Sequence, residues 1–113
     1  MSTRAVGAWA ERVACVFLES QGYEIMKRNF YTRFGEIDII AKDESYLVFI
    51  EVKYRKNKEY GFPSQAVTYE KQQRIRRSSE FYLIRYGIKQ ETPIRFDVVE
   101  IIGKKIRVIK NAF

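Results

Sequence analysis

Residues 35–55 read GEIDIIAKDESYLVFIEVKYR, and the placing of charges in this stretch decides the fold. Asp38 is set among isoleucines. After the polar turn Lys42-Asp43-Glu44-Ser45 comes an apolar run from Tyr46 to Tyr54, and Glu51 and Lys53 lie inside it. Glu36 to Ala41 and Tyr46 to Tyr54 read as strands, and the short turn makes them an antiparallel hairpin. Side chains alternate faces along a strand. Leu47, Phe49, Glu51 and Lys53 therefore share one face, and Val48, Ile50, Val52 and Tyr54 the other. With Ala41 opposite Val48, Asp38 lies opposite Glu51. A two-residue shift leaves them one diagonal step apart, whereas a one-residue slip would invert the buried faces. Charges inside a buried pattern are costly unless paired or bound to a metal. Asp38, Glu51 and Lys53 are expected to form one cluster.

The flanking sequence supplies helices. From Arg4 to Gln21, Val6, Trp9, Ala10, Val13, Ala14, Phe17 and Leu18 follow the spacing of one buried helix face, and Gly22 suits the stop. Glu11 falls at the edge of that stripe. It could point into a cleft beside the core, but from this helix alone an ordinary solvated glutamate is the plainer account. Tyr23 to Phe30 reads as a first strand with poor alternation, and Tyr31 to Gly35 as a connection. Lys56 to Ser64, with Gly61 and Pro63, reads as a basic loop. A second helix is predicted from Tyr69 to Tyr86, with Thr68 as N-cap and Gly87 at its end. Ile75, Ser79, Tyr82, Leu83 and Tyr86 can face the core. Lys71, Arg74, Arg77 and Arg85 make a basic stripe beside them, with Phe81 among them; a solvated helix face is the plainer account of such charges. Ile94 to Ile102 and Ile106 to Ile109 complete the strands. The order α-β-β-β-α-β-β predicts an α/β fold with a mixed central sheet flanked by helices.

A chain of 113 residues suits one domain over residues 1–113, and its hydrophobic content of 46% argues for a folded globule. There is no histidine and only one cysteine, Cys15. Ser-His-Asp and Cys-His nucleophiles and the common zinc sites are thereby excluded, as is an intramolecular disulfide. No apolar run approaches the roughly 18 residues that a membrane helix needs, and the N-terminus lacks the apolar core of a signal peptide. The expectation is a soluble cytoplasmic protein with no membrane partner. The net charge of +7 is uneven: residues 1–52 carry six Lys/Arg against eight Asp/Glu, and residues 53–113 carry fifteen against six. Such a basic half fits a polyanion such as nucleic acid. Arg33, Arg55, Lys56, Lys58, Lys71, Arg74 and Arg77 are the candidate contacts.

Two carboxylates ~4 Å apart repel by about 4 kcal/mol at an effective dielectric of about 20. One takes up a proton, or a cation sits between them. Oxygen ligands without imidazole or thiolate suit Mg²⁺ or Mn²⁺, which keep several waters and recruit substrate phosphate. The main-chain carbonyl of Val52 could add a ligand. Lys53 then fits as the group that orients the attacking water and stabilises negative charge, or as a base if its pKa is depressed. Such an assembly hydrolyses a phosphodiester. The structural alternative is a Glu51–Lys53 ion pair on a half-exposed sheet with Asp38 solvated nearby.

The constellation resembles the PD-(D/E)xK nucleases and their restriction-endonuclease-like α-β-β-β-α-β core. Asp38 matches the motif aspartate, and Glu51 and Lys53 match the (D/E)xK element on the next strand. Glu11 matches the additional acidic residue of the archaeal Holliday-junction resolvases. The likeness is closer to the small bacterial YraN-like proteins. It rests on Gly7, Glu11, GEIDIIA from Gly35, VFIEVKYR from Val48, Val67, Lys71, RFDVVEI from Arg95 and the final Asn111-Ala112-Phe113. Tyr54 stands where that family more usually has a small residue such as threonine. The resemblance implies catalytic Glu11, Asp38, Glu51 and Lys53, a Mg²⁺ or Mn²⁺ site on Asp38, Glu51, Val52 and Glu11, DNA as partner and a homodimer. The expected function is a metal-dependent DNA endonuclease, structure-selective in repair or recombination. The alternatives are a non-catalytic nucleic-acid-binding module on the same fold, an RNA substrate, or a protein adaptor using Tyr31, Phe34, Tyr60 and Phe62.

Overall fold

Two side-chain caps start the two helices. The Ser2 hydroxyl accepts from the Ala5 N–H (3.1 Å) at the head of α1 (Thr3–Ser20). The Thr68 hydroxyl accepts from the Lys71 N–H (3.1 Å) at the head of α2 (Tyr69–Arg85). Gly22 and Gly87, at φ of +93° and +58°, take the left-handed conformation that lets the chain fold back and satisfy the last helical carbonyls. Tyr23 N–H then reaches Leu18 O, and Ile88 N–H reaches Leu83 O. The remaining elements are β1 (Glu24–Thr32), β2 (Gly35–Asp43), β3 (Tyr46–Arg55), β4 (Ile94–Ile102) and β5 (Lys105–Ile109). This is a computed structural model, and it describes residues 2–57 and 67–113. Lys58, Tyr60, Phe62 and most of the basic loop expected at Lys56 to Ser64 lie outside the described residues.

The strands form one mixed sheet in the order β1-β2-β3-β4-β5. β3 and β4 run parallel, joined by the crossover that contains α2, and every other neighbouring pair is antiparallel. Ala41 lies opposite Val48, as the sequence predicts. One face of the sheet buries Ile39, Ala41, Val48, Ile50, Val99 and Ile101 against Ala10, Ala14, Cys15 and Leu18 of α1. The other buries Phe30, Ile37, Ile40, Leu47, Phe49 and Phe96 against Ile75 and Tyr82 of α2. The mixed α/β architecture with two flanking helices is the expected one. Among the described residues no helix is long and apolar enough to cross a membrane.

Three boundaries differ from the sequence reading. Lys42 and Asp43 belong to β2 rather than to a four-residue turn, leaving Glu44-Ser45 as the connection, with Glu44 at φ +55°. Asp43 is held in the strand by Arg95 Nη2 (2.7 Å) and Lys110 Nζ (3.1 Å). β1 extends to Thr32. Its alternation is weak because the register shifts between Ile25 and Lys27, and because Asn29 sits at φ +54°. Tyr86 caps α2 and is half exposed, its ring against Tyr82 and Phe30.

At the edge of the α1 core lies a buried polar network. Asp97, fully buried, accepts from the Tyr23 hydroxyl (2.7 Å), from Arg95 Nε and Nη2 (both 2.8 Å) and from the Asn111 N–H (3.0 Å). Both carboxylate oxygens are used, which is the condition for tolerating a buried charge. Asp97→Asn leaves the Arg95 guanidinium without its main counter-charge, and a loss of about 3–5 kcal/mol is expected in urea unfolding. Asp43 has its pKa lowered, chiefly by its hydrogen bond from Arg95, against the opposing effect of burial. A lowered carboxyl pKa stabilises the fold above the unfolded value, and that stability is lost as pH falls. The stability gap between wild type and Asp43→Asn should therefore be full at neutral pH and close progressively below about pH 4.

Candidate active site

The site forms where β2 and β3 part. Their pairing runs from Asp43↔Tyr46 to Ile39↔Ile50 and does not continue to Asp38. At that point β2 also changes face: Ile39 joins the α1 core and Ile37 the α2 core. The Asp38 carboxylate reaches across the gap and accepts the Val52 N–H at 2.8 Å. A side chain thus supplies the hydrogen bond that a continued ladder would have made, so that no buried N–H is stranded. The expected neighbourhood of Asp38 and Glu51 is found, but by splaying rather than by direct cross-strand pairing.

The gap opens into a cleft of about 540 Å³ lined by Glu11, Glu36, Asp38, Glu51, Val52, Lys53, Tyr54, Arg55 and Lys71, with Thr3, Val6, Gly7 and Ala10 from α1. Glu11, Asp38, Glu51, Val52 and Lys53, the residues picked out from the sequence, all line it. Glu11 is on the cleft side of α1, so the solvated-glutamate alternative does not hold. The departure at Tyr54 also has a structural role: its ring meets Trp9 of α1 edge to face (5.2 Å) and forms part of the cleft wall.

Carboxylate oxygens of Glu11, Glu36 and Asp38 lie within 4.8 Å of one another. Glu36 did not figure among the sequence candidates. Its signal was present, because it is two residues from Asp38 and shares its strand parity. The Tyr31 hydroxyl, on an otherwise exposed ring, hydrogen-bonds Glu36. Glu11 Oε1 is buried and has no hydrogen-bond partner among the described residues, whose nearest cation to it is Arg28 Nη2 at 3.9 Å. Glu51 is engaged differently. Its Oε1 takes an ion pair from Lys71 Nζ and a second, at 3.4 Å, from Lys53 Nζ.

Protonation follows from this crowding. Burial, and then the neighbouring charge of Glu51, push the Asp38 pKa up to about 9, with the Val52 N–H opposing. Glu11 is raised by burial and then by Glu36, with Arg28 opposing. Lys53 is lowered, first by burial and then by Lys71. Burial also acts to lower Lys71, but its contacts with Glu51 outweigh this and its pKa is raised. Of the two ammonium groups on one oxygen, Lys53 is therefore the one that gives up its proton more readily.

The basic candidates separate into two groups. Arg55 and Lys71 line the cleft, and Arg74 joins through a smaller adjoining cavity with Gly35, Glu36, Asp38 and Glu51. Arg33 and Arg77 meet over the Phe34 ring, at 4.9 and 5.8 Å from its centre. The β1–β2 turn is pinned to α2 by the Thr32–Ser78 hydroxyl contact (2.8 Å). Lys56 is exposed just past β3, and Arg85 lies over Tyr86, one turn beyond Phe81.

The chain belongs to the family described as Uncharacterised protein family UPF0102, whose family model matches residues 10–101. It is 48% identical over 113 residues to a UPF0102 protein of Lachnoclostridium phytofermentans, covering all of this chain and 96% of that protein. It is 44% identical to a UPF0102 protein of Legionella pneumophila strain Corby (98% and 96% covered). It is 42% identical to one of Clostridium botulinum strain Hall (96% and 93% covered). This family membership agrees with the YraN-like resemblance.

The charge balance has a measurable consequence. A carboxyl whose folded pKa lies above its unfolded value binds more protons when folded. The metal-free protein should therefore lose stability as pH rises from about 4 to about 9. Asp38→Asn keeps an acceptor for Val52 and removes the repulsion with Glu51. It is expected to raise Tm at pH 8 by about 4 °C or more, an effect of about 1 kcal/mol, and to flatten this pH dependence in thermal melts.

Proposed function

We propose that this protein is a divalent-cation-dependent nuclease of the PD-(D/E)xK class that hydrolyses DNA phosphodiester bonds, with preference for branched structures met in repair or recombination. The observation that carries the reading is the convergence of Glu11, Glu36, Asp38 and Glu51 with Lys53 in one cleft, at the point where two strands separate.

The donor set fits Mg²⁺ or Mn²⁺. It is all oxygen, contains no histidine or cysteine, and includes a buried Glu11 oxygen without a hydrogen-bond partner. Glu11, Glu36 and Asp38 would hold the ion, and Glu51 and Val52, which line the same cleft, could add ligands. Such an ion, when bound, supplies Lewis-acid polarisation of the phosphoryl oxygen and a lower pKa for the attacking water.

The chain's own groups do the rest. Asp38, fixed by the Val52 N–H, is oriented toward the cleft before substrate arrives. Lys53 is placed beside Glu51 by the rigid β3–β4 ladder. It orients the water and donates to the charge that develops on the phosphoryl oxygens, and burial, which lowers its pKa, makes it readier to give up a proton. Arg55 and Arg74 flank the carboxylates, and the Arg33–Phe34–Arg77 cluster extends the positive surface along α2 to hold the backbone away from the reacting phosphate.

The test is cleavage of linear, flapped and four-way-junction DNA with Mg²⁺, Mn²⁺ or chelator. Metal-dependent cleavage is expected, reduced by about 10²-fold or more in Glu51→Ala and in Lys53→Ala. Salt-sensitive binding never followed by cleavage would instead establish a non-catalytic binding module. The arginine surface makes a separate prediction. Arg33→Ala with Arg77→Ala should reduce the slope of log K against log salt by about 2 on duplex DNA. The rate at saturating DNA should stay unchanged.

A further inference from the structure

We propose that Lys71 is the resident counter-ion of the cleft: its ammonium holds Glu51 until a divalent cation and a phosphodiester arrive, and is then transferred from the carboxylate to the substrate phosphate. This rests on the metal-site reading above.

Three features support it. Lys71 Nζ and Lys53 Nζ both contact the same oxygen, Glu51 Oε1, so one buried carboxylate carries two ammonium groups. Either one neutralises Glu51, and Lys71 also feels the charge of Asp38 across the cleft. The two lysines also differ in freedom. Lys53 projects from the middle of the sheet and its side chain is 19% exposed, whereas that of Lys71, on α2, is 36% exposed. The Lys71 backbone is fixed in the first turn of α2 by Thr68, so its charge can swing while its anchor stays. Finally, Lys71 lines both the main cleft and the smaller cavity that runs to Arg74. Leaving Glu51 moves its charge toward the cationic side, where a phosphodiester would enter.

A point charge already on Glu51 competes with an incoming cation, because both are attracted to the same carboxylate and repel each other. Removing it should tighten metal binding in the absence of nucleic acid and weaken the reaction in its presence. A residue that only braced the fold would not produce that opposition.

The experiment is Mn²⁺ titration of the full chain without DNA, by calorimetry or electron paramagnetic resonance, for wild type, Lys71→Gln and Lys71→Arg, with thermal melts in parallel. Lys71→Met, which keeps the alkyl stem, replaces the Gln variant if that variant fails to fold. Lys71→Gln is expected to bind Mn²⁺ about tenfold more tightly, and Lys71→Arg within about twofold of wild type. On DNA, Lys71→Gln should reach half-maximal cleavage at lower Mn²⁺ with kcat at least about tenfold lower. Mn²⁺ binding by wild type that Lys71→Gln leaves unchanged or weakens overturns the role of Lys71 alone. Absence of Mn²⁺ binding in wild type and in Lys71→Gln overturns the metal site and this role together.

Discussion

The hydrogen bond from the Val52 N–H to the Asp38 carboxylate is the constraint on which the cleft depends. An antiparallel hairpin that simply continued would close β2 against β3 and leave no room between them. Opening it strands backbone donors, and a buried N–H without a partner costs as much as a lost hydrogen bond. Asp38 removes that cost with a side chain, and in doing so places a carboxylate inside the opening. The group that stabilises the separation of the strands is thus the one that makes the separated space acidic. Glu36 and Glu51 follow from it, one on each strand beside the break, and Glu11 reaches the same space from α1.

Much of the fold was legible because its signals are local. Ser2 apart, the caps Thr68, Gly22 and Gly87 could be read from residue type and position, and the apolar spacing of α1 and α2 set which faces are buried. The Ala41–Val48 register could be read from parity alone. Within the hairpin, parity failed at Asp38, where β2 switches faces. Alternation assumes a regular pleat, and the positive φ of Asn29 on the neighbouring strand marks the irregularity. Nothing in the residue types near Asp38 announces it. The site was readable because its charges interrupt an apolar pattern. Glu36 escaped because it stands at a strand end, where a charge needs no explanation. The partnership of Lys71 with Glu51 joins a helix to a strand across the loop and leaves no periodic trace.

Two clusters of buried charge show how satisfaction separates structure from chemistry. At Asp97 and Asp43, each carboxylate faces a cation or a donor: Arg95, Lys110, Tyr23 and the Asn111 N–H. The arrangement resembles a closed circuit of hydrogen bonds, and its natural consequence is rigidity. In the cleft, residues of the same kinds are arranged so that the account does not close. Carboxylates face carboxylates, Asp38 is driven toward protonation, and an oxygen of Glu11 is buried without a donor. Replacing Glu11, Glu36 or Asp38 by a neutral isostere relieves repulsion, so stability alone does not account for the cluster.

The distribution of cations within the cleft sharpens this contrast. Lys53 and Lys71 both lie on Glu51, so the positive charge of the site is concentrated on one carboxylate of four. On the side of Glu11, Glu36 and Asp38, the ion pair among the described residues is that of the exposed Arg28 with Glu11, at 3.9 Å, and Arg74 stands in the cavity that adjoins Glu36 and Asp38. The three oxygens that converge there are of the hard type that a divalent ion prefers, and burial drives Asp38 and Glu11 toward protonation. Lys71, paired with Glu51, also feels the charge of Asp38, so its ammonium links the two halves of the cleft. A divalent cation among the carboxylates would take over that neutralising role and leave Lys71 able to meet an incoming phosphate.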